Sequence, residues 1–526
     1  MSDPLDGDWD PTAYWSTSNV GELVPGVLTP LNWSLWKRGG EAGLRTALTA
    51  VGALERQFAD VPEHDQDRVM GLFHGRLAAN VDFLGRMGDR LPATSGAAVA
   101  AQLLGRLPEN FESRPTYRRL PAIAASYPRA LAGAPRAVRA LHARVGPWWS
   151  AQVALSPTLD RDRARSQWRQ AAERFSGAMS THVTCVLATV QPAHEGVLRL
   201  CAAAGRPDLA QPLTSGLGNH VEVEVVADLW DVSRERLSLD VFLAQHGYHG
   251  QDEGEIASRV WRENPQPVHQ LVTQYLGRTR SPAEVVAARA EERAAAETEL
   301  LEGLARWQRG PARAVLRMAG QAIPLRGVGK VAFLRVLDVA RSAARRNGEL
   351  LAGAGHLSDP DDVFLLTAEE MLVDAPHHDL VAERREQRAR HLAVTLPTGW
   401  RGRPVPTPVA VGGTVSTGSV LAGIGVSAGV VVAPARVVLD ATDLDFEPGE
   451  ILVAPYTDPS WGALMFTAAA LVVDIGGELT HAAVVARELG VPCVMGTGDG
   501  TRRLRTGDRL RVDGAAGTVE VLGVGL

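Results

Sequence analysis

Apolar positions in the first 395 residues repeat with a helical period. Leucine and alanine recur three and four residues apart through 69–91, 167–204 and 221–245, which places apolar side chains on one face of a helix. The stretch 282–308 is rich in alanine, glutamate and arginine, with opposite charges three and four residues apart, and it predicts one long solvated helix. We therefore expect a large, mainly helical domain over residues 1–395.

The helical pattern is lost between residues 396 and 420. Proline, glycine, threonine and serine dominate this stretch, and no apolar period survives. Such a composition is typical of a flexible linker. A stretch of about 25 residues reaches ~80 Å when fully extended, so the domain that follows it could travel between two sites.

Short β-rich runs separated by turns fill residues 421–526. They include VVVAPARVVL, EILVAP, ALVVDI and DRLRVDG, with helical segments near 461–469 and 481–489. This pattern predicts a compact α/β domain of the usual size for an independent fold. The predicted architecture is multidomain, in which a large mainly α-helical domain is followed by a linker and a small α/β domain.

Composition adds few constraints. A chain of 526 residues exceeds one typical core, and a net charge of −6 with both signs interspersed gives no footprint for nucleic acid. The three cysteines have neither metal nor disulfide spacing. The first residues are acidic and polar, and no apolar stretch is long enough to cross a bilayer. We expect a cytoplasmic protein without nucleic-acid or membrane partners.

The candidate chemistry lies in the string LVVDIGGELTHAAVVARELGVPCVM, residues 471–495. An apolar strand is expected to end at Ile475. Gly476 and Gly477 then allow a sharp turn close to another backbone. A loop of this kind, between a strand and a helix, is suited to holding an anion.

A histidine stands where the next helix is expected to begin. Thr480 can cap a helix that opens at His481, and Gly490 is expected to end it. The free N–H groups and the dipole of a helix N-terminus favour an anion, so they would stabilise a phosphoryl group on the ring. The same field keeps the imidazole neutral and nucleophilic. His481 is therefore a candidate phosphoryl acceptor.

A second polar cluster, HGYHGQDEGE, spans residues 246–255. Two histidines and three acidic residues crowd a break after a helix, and they could supply a general base for a substrate hydroxyl. The spacing of His246 and His249 would also suit a metal, and a solvated loop is the third alternative. No metal site is assigned. Arg76 and Asn80 are spaced one helical turn apart, which puts them on one helix face, in a structural contact or at a pocket.

The pattern Gly-Gly-x-x-Thr-His-Ala-Ala-x-x-Ala-Arg-Glu-x-Gly-x-Pro resembles the phosphohistidine signature of the swivelling domain in phosphoenolpyruvate-utilising enzymes. This resemblance covers the last hundred or so residues. It implies that the α/β domain is a swivelling phosphohistidine domain. It also implies a catalytic group of His481, Thr480 and Arg487, with Gly476 and Gly477 as a phosphate-binding loop.

The helical region resembles rifampin phosphotransferase-like proteins more weakly, in its PGVLTPL segment and in the cluster at 246–255. The resemblance implies a substrate-binding domain in which His246, His249, Glu253, Glu255 and Arg76 contact the substrate. His249 stands where relatives commonly have arginine, which would bind a phosphoryl group bidentately at any pH. Because of this departure the relatives' substrate is not carried over.

Enzymes with such a domain load the histidine at an ATP-grasp module or at a phosphoenolpyruvate barrel. No P-loop pattern occurs here, and the sequence around the recognised segments leaves no room for either module. We expect a split system, in which a separate ATP-grasp subunit uses ATP and Mg²⁺ to phosphorylate His481. The phosphoryl group would then pass to a small organic acceptor in the helical domain. No cofactor is assigned to this chain itself.

Two alternatives remain open at this point. Phosphorylation could activate a substrate hydroxyl that the helical domain then eliminates, which would give net dehydration. The protein could also be a non-catalytic phospho-relay or regulatory protein whose phosphohistidine is a signal.

Overall fold

The chain folds into two compact units. The computed structural model describes residues 3–18, 20, 23–92, 94–104, 107, 111–217, 221–408, 415–439, 446–457, 461–477 and 480–525. Unit 1 comprises Met1–Ala188, Asp252–Ser258 and Val328–Val409, and unit 2 comprises Thr189–Gln251, Arg259–Gly327 and Ala410–Leu526.

Unit 1 is built mainly from helices around a small sheet. Its strands are β1 (Tyr14–Ser16), β2 (Met70–Phe73), β3 (Arg76–Asn80), β4 (Val394–Thr395), β5 (Gly399–Arg401) and β6 (Thr407–Pro408). Its helices are α1 (Pro30–Ala50), α2 (Val81–Gly88), α3 (Gly96–Leu104), α4 (Leu120–Leu155), α5 (Arg161–Cys185), the greater part of α13 (Leu325–Gly353), α14 (Ala368–Met371) and α15 (His378–Leu392).

The helix predicted over 69–91 is wrong for its first half. Strands β2 and β3 form an antiparallel hairpin there, and only α2 is helical. His74 and Gly75 both have positive φ, 46° and 73°, which is the geometry of a two-residue turn whose twist matches a hairpin. Arg76 and Asn80 therefore lie on a strand and not on one face of a helix.

Residues 399–408 belong to unit 1 and do not form the predicted flexible linker. Trp400 on β5 pairs with Trp15 on β1, and its ring lies 5.1 Å from that of Phe73. The ring is buried, so this part of the chain is anchored by an aromatic side chain despite its proline- and glycine-rich composition. Residues 409–414 of the predicted linker lie outside the described residues.

Unit 2 combines a helical segment with an eight-stranded sheet. Its helices are α6 (Gln191–Ala203), α7 (Ala210–Thr214), α8 (Val221–Ser233), α9 (Leu239–His246), α10 (Gln266–Leu276), α11 (Pro282–Gly303), α12 (Arg306–Ala322), α16 (Gly462–Thr467), α17 (His481–Leu489) and α18 (Gly500–Arg503). Its strands are β7 (Val420–Ala422), β8 (Ile424–Ser427), β9 (Val430–Val437), β10 (Ile451–Ala454), β11 (Ala470–Val473), β12 (Cys493–Met495), β13 (Arg509–Asp513) and β14 (Thr518–Gly523).

Four parallel strands form the centre of this sheet. The strand order is β7-β14-β13-β9-β10-β11-β12-β8, in which β9, β10, β11 and β12 run parallel and the other neighbours pair antiparallel. Helix α16 connects β10 to β11, and α17 connects β11 to β12. This confirms the predicted fold class, a mainly helical chain with a C-terminal α/β domain.

Both faces of the central strands are apolar. On β10 and β11 one set of alternate residues, including Leu452 and Leu471, packs into the cluster that contains α16 and α17. The other set, including Val453 and Val472, packs into a second cluster with β13 and β14. Strands buried on both sides read as continuous apolar runs, which is why EILVAP and ALVVDI were recognisable in the sequence.

The helical segment of unit 2 packs directly on the α16–α17 face of the sheet. Val226 on α8 and Tyr275 on α10 share one apolar cluster with Phe466 and Val485. The sequence predicted that the helical domain ends at residue 395 and is separate from the α/β domain, but the packing divides the chain differently. Residues 189–251 and 259–327 group with the α/β domain because their apolar helix faces are buried against it.

The other helix predictions hold with two changes. The stretch 221–245 forms two helices, α8 and α9, which are separated by the non-helical residues 234–238. Residues 167–204 are helical in α5 and α6, and α17 spans the expected segment 481–489. The single helix predicted over 282–308 is two helices, α11 and α12, with a break at Leu304 and Ala305. Among the helices of the described ranges, none has the length and apolar character that crossing a bilayer requires.

The packing of α10 on α16 predicts how firmly the α/β domain is held. Arg278 donates to the carbonyl oxygen of Phe466 and lies over its ring. We expect Arg278→Ala to speed amide exchange in α16 and α17 by about tenfold, because hydrogen bonds to charged groups contribute ~1.5–3 kcal/mol. Hydrogen-exchange mass spectrometry measures this, with the exposed Arg280→Ala as the control. Equal exchange in the two variants would contradict the prediction.

Candidate active site

Three loops meet where the parallel strands β10, β11 and β12 end. The amide of Asp474 donates to the carbonyl of Ala454, and that of Ile475 donates to the carbonyl of Pro455, both at 3.0 Å. The amide of Gly498 donates to the carbonyl of Asp474, also at 3.0 Å. Ligands of open α/β sheets bind beyond the carboxyl ends of the strands, so this edge is the expected place for a site.

The side chain of Asp474 ties two of these loops together. Its carboxylate accepts from Thr497 Oγ1 at 2.8 Å and from the Thr501 amide at 3.2 Å. Burial raises the pKa of the Asp474 carboxyl above its ordinary value. The sequence reasoning did not single out this residue, although a polar residue directly after a buried strand was the available signal.

The two glycines after β11 differ in whether a side chain could replace their hydrogen atom. Gly476 has φ of 146°, and a Cβ there would lie 2.2 Å from Cε of Met495. Side chains are therefore excluded at Gly476 by both conformation and space. Beside Gly477 the described residues place no heavy atom within 4 Å of a Cβ position. The turn is thus open on the Gly477 side, and its role as a phosphate-binding loop stays a prediction.

Thr480 caps the helix that begins at His481. Its Oγ1 accepts from the Ala483 amide at 3.4 Å and donates to the Gly477 carbonyl at 2.8 Å. The helix ends at Gly490, which has left-handed φ and ψ of 65° and 29°. Both the predicted cap and the predicted end are confirmed. The side chain of His481 lies outside the described residues.

The backbone geometry places residue 481 at the positive end of α17. The first amides of a helix have no partner within it and carry a partial positive charge. The next residues, Ala482 and Ala483, are small and fully buried, so the remaining turn of the helix faces the interior. The sides of the helix are therefore closed to solvent, and its N-terminal end is the part that an anion could approach.

Arg487 lies at the other end of this helix. Six residues separate it from His481, which is about 9 Å along a helix axis. The side chain is buried, and its Nη1 lies 3.5 Å from the carbonyl oxygen of Val426 on β8. The structure therefore does not bring Arg487 to the N-terminal turn with Thr480, and a catalytic role for it stays a prediction.

A buried histidine of the helical segment lies close enough to Arg487 to feel its charge. Burial, and then the positive charge of Arg487, lower the pKa of His194 on α6 to about 4. Both effects disfavour the imidazolium form. His194 is therefore neutral at pH 7, and no feature of the sequence pointed to it.

His246 forms a close pair with an acidic residue of α8. Its Nε2 lies 2.7 Å from Oδ2 of Asp228. The ring is buried and stacks at 6.4 Å on that of His249, which contacts Trp261 at 5.7 Å. The Nδ1 of His246 has no hydrogen-bond partner in the described part of the chain. Asp228 was missed because eighteen residues separate the pair and no short motif joins them.

Glu253 lies in unit 1, not in the unit that holds the two histidines. Its carboxylate pairs with Lys330 at 3.2 Å, and its carbonyl oxygen accepts from Arg341 Nη2 at 3.0 Å. Both basic side chains are buried on α13. The sequence cluster 246–255 is therefore divided between two units, and its acidic members hold their own backbone segment in unit 1.

Glu255 links the same segment to the start of α1. Its carboxylate accepts from the Thr29 amide at 2.9 Å, from Thr29 Oγ1 at 2.8 Å and from Asn32 Nδ2 at 3.1 Å. Burial raises the pKa of the Glu255 carboxyl. These contacts are those of a structural link, and a substrate contact for Glu255 stays a prediction.

Arg76 also makes internal contacts. Its guanidinium donates to the carbonyl of His391 at 3.0 Å and to that of Val394 at 2.6 Å, at the end of α15. Asn80 caps α2 by accepting from the Phe83 amide at 2.8 Å. Within the described ranges there is also no group of three histidine, cysteine or acidic side chains that could hold a metal.

Two segments of unit 2 match known families. Residues 446–517 match the family described as PEP-utilising enzyme, mobile domain, and residues 235–326 match the Rifampicin phosphotransferase fourth domain. The α/β part of unit 2 thus matches the mobile domain of phosphoenolpyruvate-utilising enzymes, which confirms the resemblance seen in the motif. Neither matched family is an ATP-grasp domain.

Two relatives show how far the likeness extends. An uncharacterised protein of Mycobacterium tuberculosis is 27% identical over 96% of this chain and 61% of its own length. A rifampicin phosphotransferase of a Streptomyces species is 35% identical over 55% of this chain and 34% of its own length. The chain thus spans less than two thirds of either relative.

A solved structure of Enzyme I, determined by NMR in solution, also matches. It is 16% identical and covers 57% of this chain and 77% of its own, with a TM-score of 0.15.

His194 predicts an acid-linked loss of stability. The unfolded chain binds a proton on this residue below its ordinary pKa of 6.5, while the folded chain does not until about pH 4. Stability therefore falls as pH decreases through that window, by about 2 kcal/mol between pH 7 and pH 5. Urea denaturation at both pH values should show a smaller loss in His194→Gln. The exposed His269→Gln is the control and should behave as wild type, and a variant as pH-sensitive as wild type would refute the assignment.

Proposed function

We propose that this protein is a phosphotransferase component in which His481 is transiently phosphorylated and passes the phosphoryl group to a small organic acceptor. The observation that carries the proposal is the position of His481. It is the first residue of a Thr480-capped helix, at the carboxyl edge of parallel strands, within a mobile domain of the phosphoenolpyruvate-utilising type. The activity named for the Streptomyces relative supports the reaction class.

The helix N-terminus supports both halves of such a cycle. A neutral imidazole attacks phosphorus of the donor, so that a P–N bond forms while the P–O bond to the donor breaks and the rest of the donor leaves with that oxygen. The amides at the helix end stabilise the added negative charge. In the second half the P–N bond breaks and a P–O bond forms to the acceptor hydroxyl. The hydroxyl proton leaves to a base, and the imidazole returns to its neutral form. Transfer of this kind depends on positioning and on charge neutralisation.

The proposed donor is a separate ATP-grasp subunit that uses ATP with Mg²⁺. The resemblance to phosphoenolpyruvate-utilising enzymes motivates this part of the proposal. The proposed acceptor is a small, partly apolar alcohol, phenol or acid. The pair formed by buried His246 and partly exposed Asp228 is the acid/base group that we assign to the acceptor side, because a carboxylate can stabilise the imidazolium that forms when the ring accepts a proton.

The same pair favours a second candidate function. If His246 removes a proton from carbon after the hydroxyl has been phosphorylated, the C–O bond to the phosphorylated oxygen breaks, inorganic phosphate leaves and the net reaction is dehydration. Phosphoryl transfer to the acceptor oxygen and elimination give different products, since only the transfer reaction accumulates a phosphorylated acceptor.

Phosphorylation of the chain is the direct test. We expect the protein, mixed with an ATP-grasp protein from the same organism and with ATP and Mg²⁺, to gain the mass of one phosphoryl group. The gain should be lost in acid, because phosphohistidine is acid-labile, and it should be absent in His481→Ala. Intact-mass spectrometry measures both properties, with the exposed His269→Ala as the matched control.

The outcome separates the candidates. No mass gain with the ATP-grasp protein or with phosphoenolpyruvate would sink the proposal. A stable phosphorylated acceptor supports transfer, whereas inorganic phosphate with a dehydrated product supports elimination. A phosphorylated chain that discharges only to another protein supports the relay or regulatory alternative.

A further inference from the structure

A basic cavity lies between helices α11 and α12, away from the residues assigned to phosphoryl transfer. Its volume is about 320 Å³, which is at the lower end of the range for small-molecule sites. The residues that line it are Arg293, Glu297, Arg313, Leu316, Arg317 and Gly320.

The lining carries an excess of positive charge. Three guanidinium groups face the cavity and one carboxylate opposes them, which leaves two net positive charges around one small volume. The pairing of Arg293 with Glu297 is loose, at 3.8 Å. Like charges held together raise the local potential, and an anion bound among them would lower it.

Arg293 has a buried donor atom that could bind a ligand. Its Nε is buried, and the described residues offer it no hydrogen-bond partner. Arg293 packs close to Gly320, since a Cβ on that residue would lie 3.7 Å from Arg293 Nη2. Planar guanidinium donors in this setting match the oxygens of a phosphate group.

We propose that this cavity binds a small molecule that carries a multiply charged phosphate group. Arg313 and Arg317 lie one turn apart on α12 and Arg293 faces them from α11, so the three can contact different oxygens of one phosphate. Glu297 opposes any anion and sets the affinity. Gly320 lies at the floor of the cavity, above Leu316, which is buried in the apolar core.

The cavity is next to the contact between the helical segment and the mobile domain. Arg289 precedes Arg293 by one turn of α11, and a Cβ on Gly490 would lie 2.0 Å from its Nη2. Gly490 ends the helix that begins at His481. A ligand in the cavity would therefore contact α11, the helix whose Arg289 lies against the α/β domain. The proposal stands apart from the phosphotransfer reaction and does not depend on it.

Calorimetric titration of the full chain with inorganic pyrophosphate at low ionic strength tests the site. Wild type should bind in the micromolar to millimolar range and should not bind acetate, which carries one charge. Arg317→Ala should weaken binding by about tenfold, because it removes one charge-assisted contact. Glu297→Gln should tighten it about threefold, because the repulsion is removed. Arg306→Ala, an exposed change on the same helix, should leave the affinity unchanged.

Each other outcome overturns the proposal. Absence of pyrophosphate binding to wild type would show that the cavity does not bind phosphate groups. Equal affinity in wild type, Arg317→Ala and Glu297→Gln would place any binding elsewhere. A parallel titration with inorganic phosphate distinguishes a site for free phosphate, which would bind it as tightly, from a site for a larger phosphorylated molecule. Arg313 and Arg317 are exposed, so their variants should fold as wild type.

Discussion

The burial of helix α17 on both sides is the constraint on which the site depends. Ala482, Ala483, Val485 and Ala486 are all fully buried, between the sheet and the helical segment of unit 2. A helix enclosed in this way can offer only its ends to a reactant. The Thr480 cap and the glycine turn place its N-terminus at the carboxyl edge of the sheet, where the loops after β10, β11 and β12 are joined by backbone hydrogen bonds. The chemistry assigned to His481 follows from that orientation.

The same burial sets the cost of moving the mobile domain. Its α16–α17 face shares one apolar cluster with α8, α10 and α11, and separating them would expose apolar surface at ~25 cal/mol per Å². Arg278 adds a polar contact across this face, to the carbonyl oxygen of Phe466. Any separation of these two parts of unit 2 must therefore be offset by comparable apolar contacts elsewhere.

Sequence reasoning succeeded where the signal was local. The central strands of unit 2 are continuous apolar runs. Thr480 and Gly490 are residues typical of helix ends, and they mark where α17 begins and ends. It failed where the outcome depended on distant packing. The hairpin at 70–80 has an apolar pattern that suits a helix equally well, and Trp400 is held by Phe73 from another part of the chain. The cluster at 246–255 was read as one site, yet Glu253 and Glu255 are bound by Lys330 and Thr29, whose distance in sequence gives no hint of contact.

Charge also explains why the packed arrangement can hold the phosphorylated state. A phosphoryl group adds about two negative charges, and on residue 481 they fall at the positive end of α17. At the negative end of the same helix, the Arg289 guanidinium lies against Gly490, where a cation is favoured. A negative charge at the N-terminus of α17 and a positive charge at its C-terminus both interact favourably with the helix dipole. If His481 is phosphorylated as proposed, the added charge acts in the same direction as the field that already exists along α17.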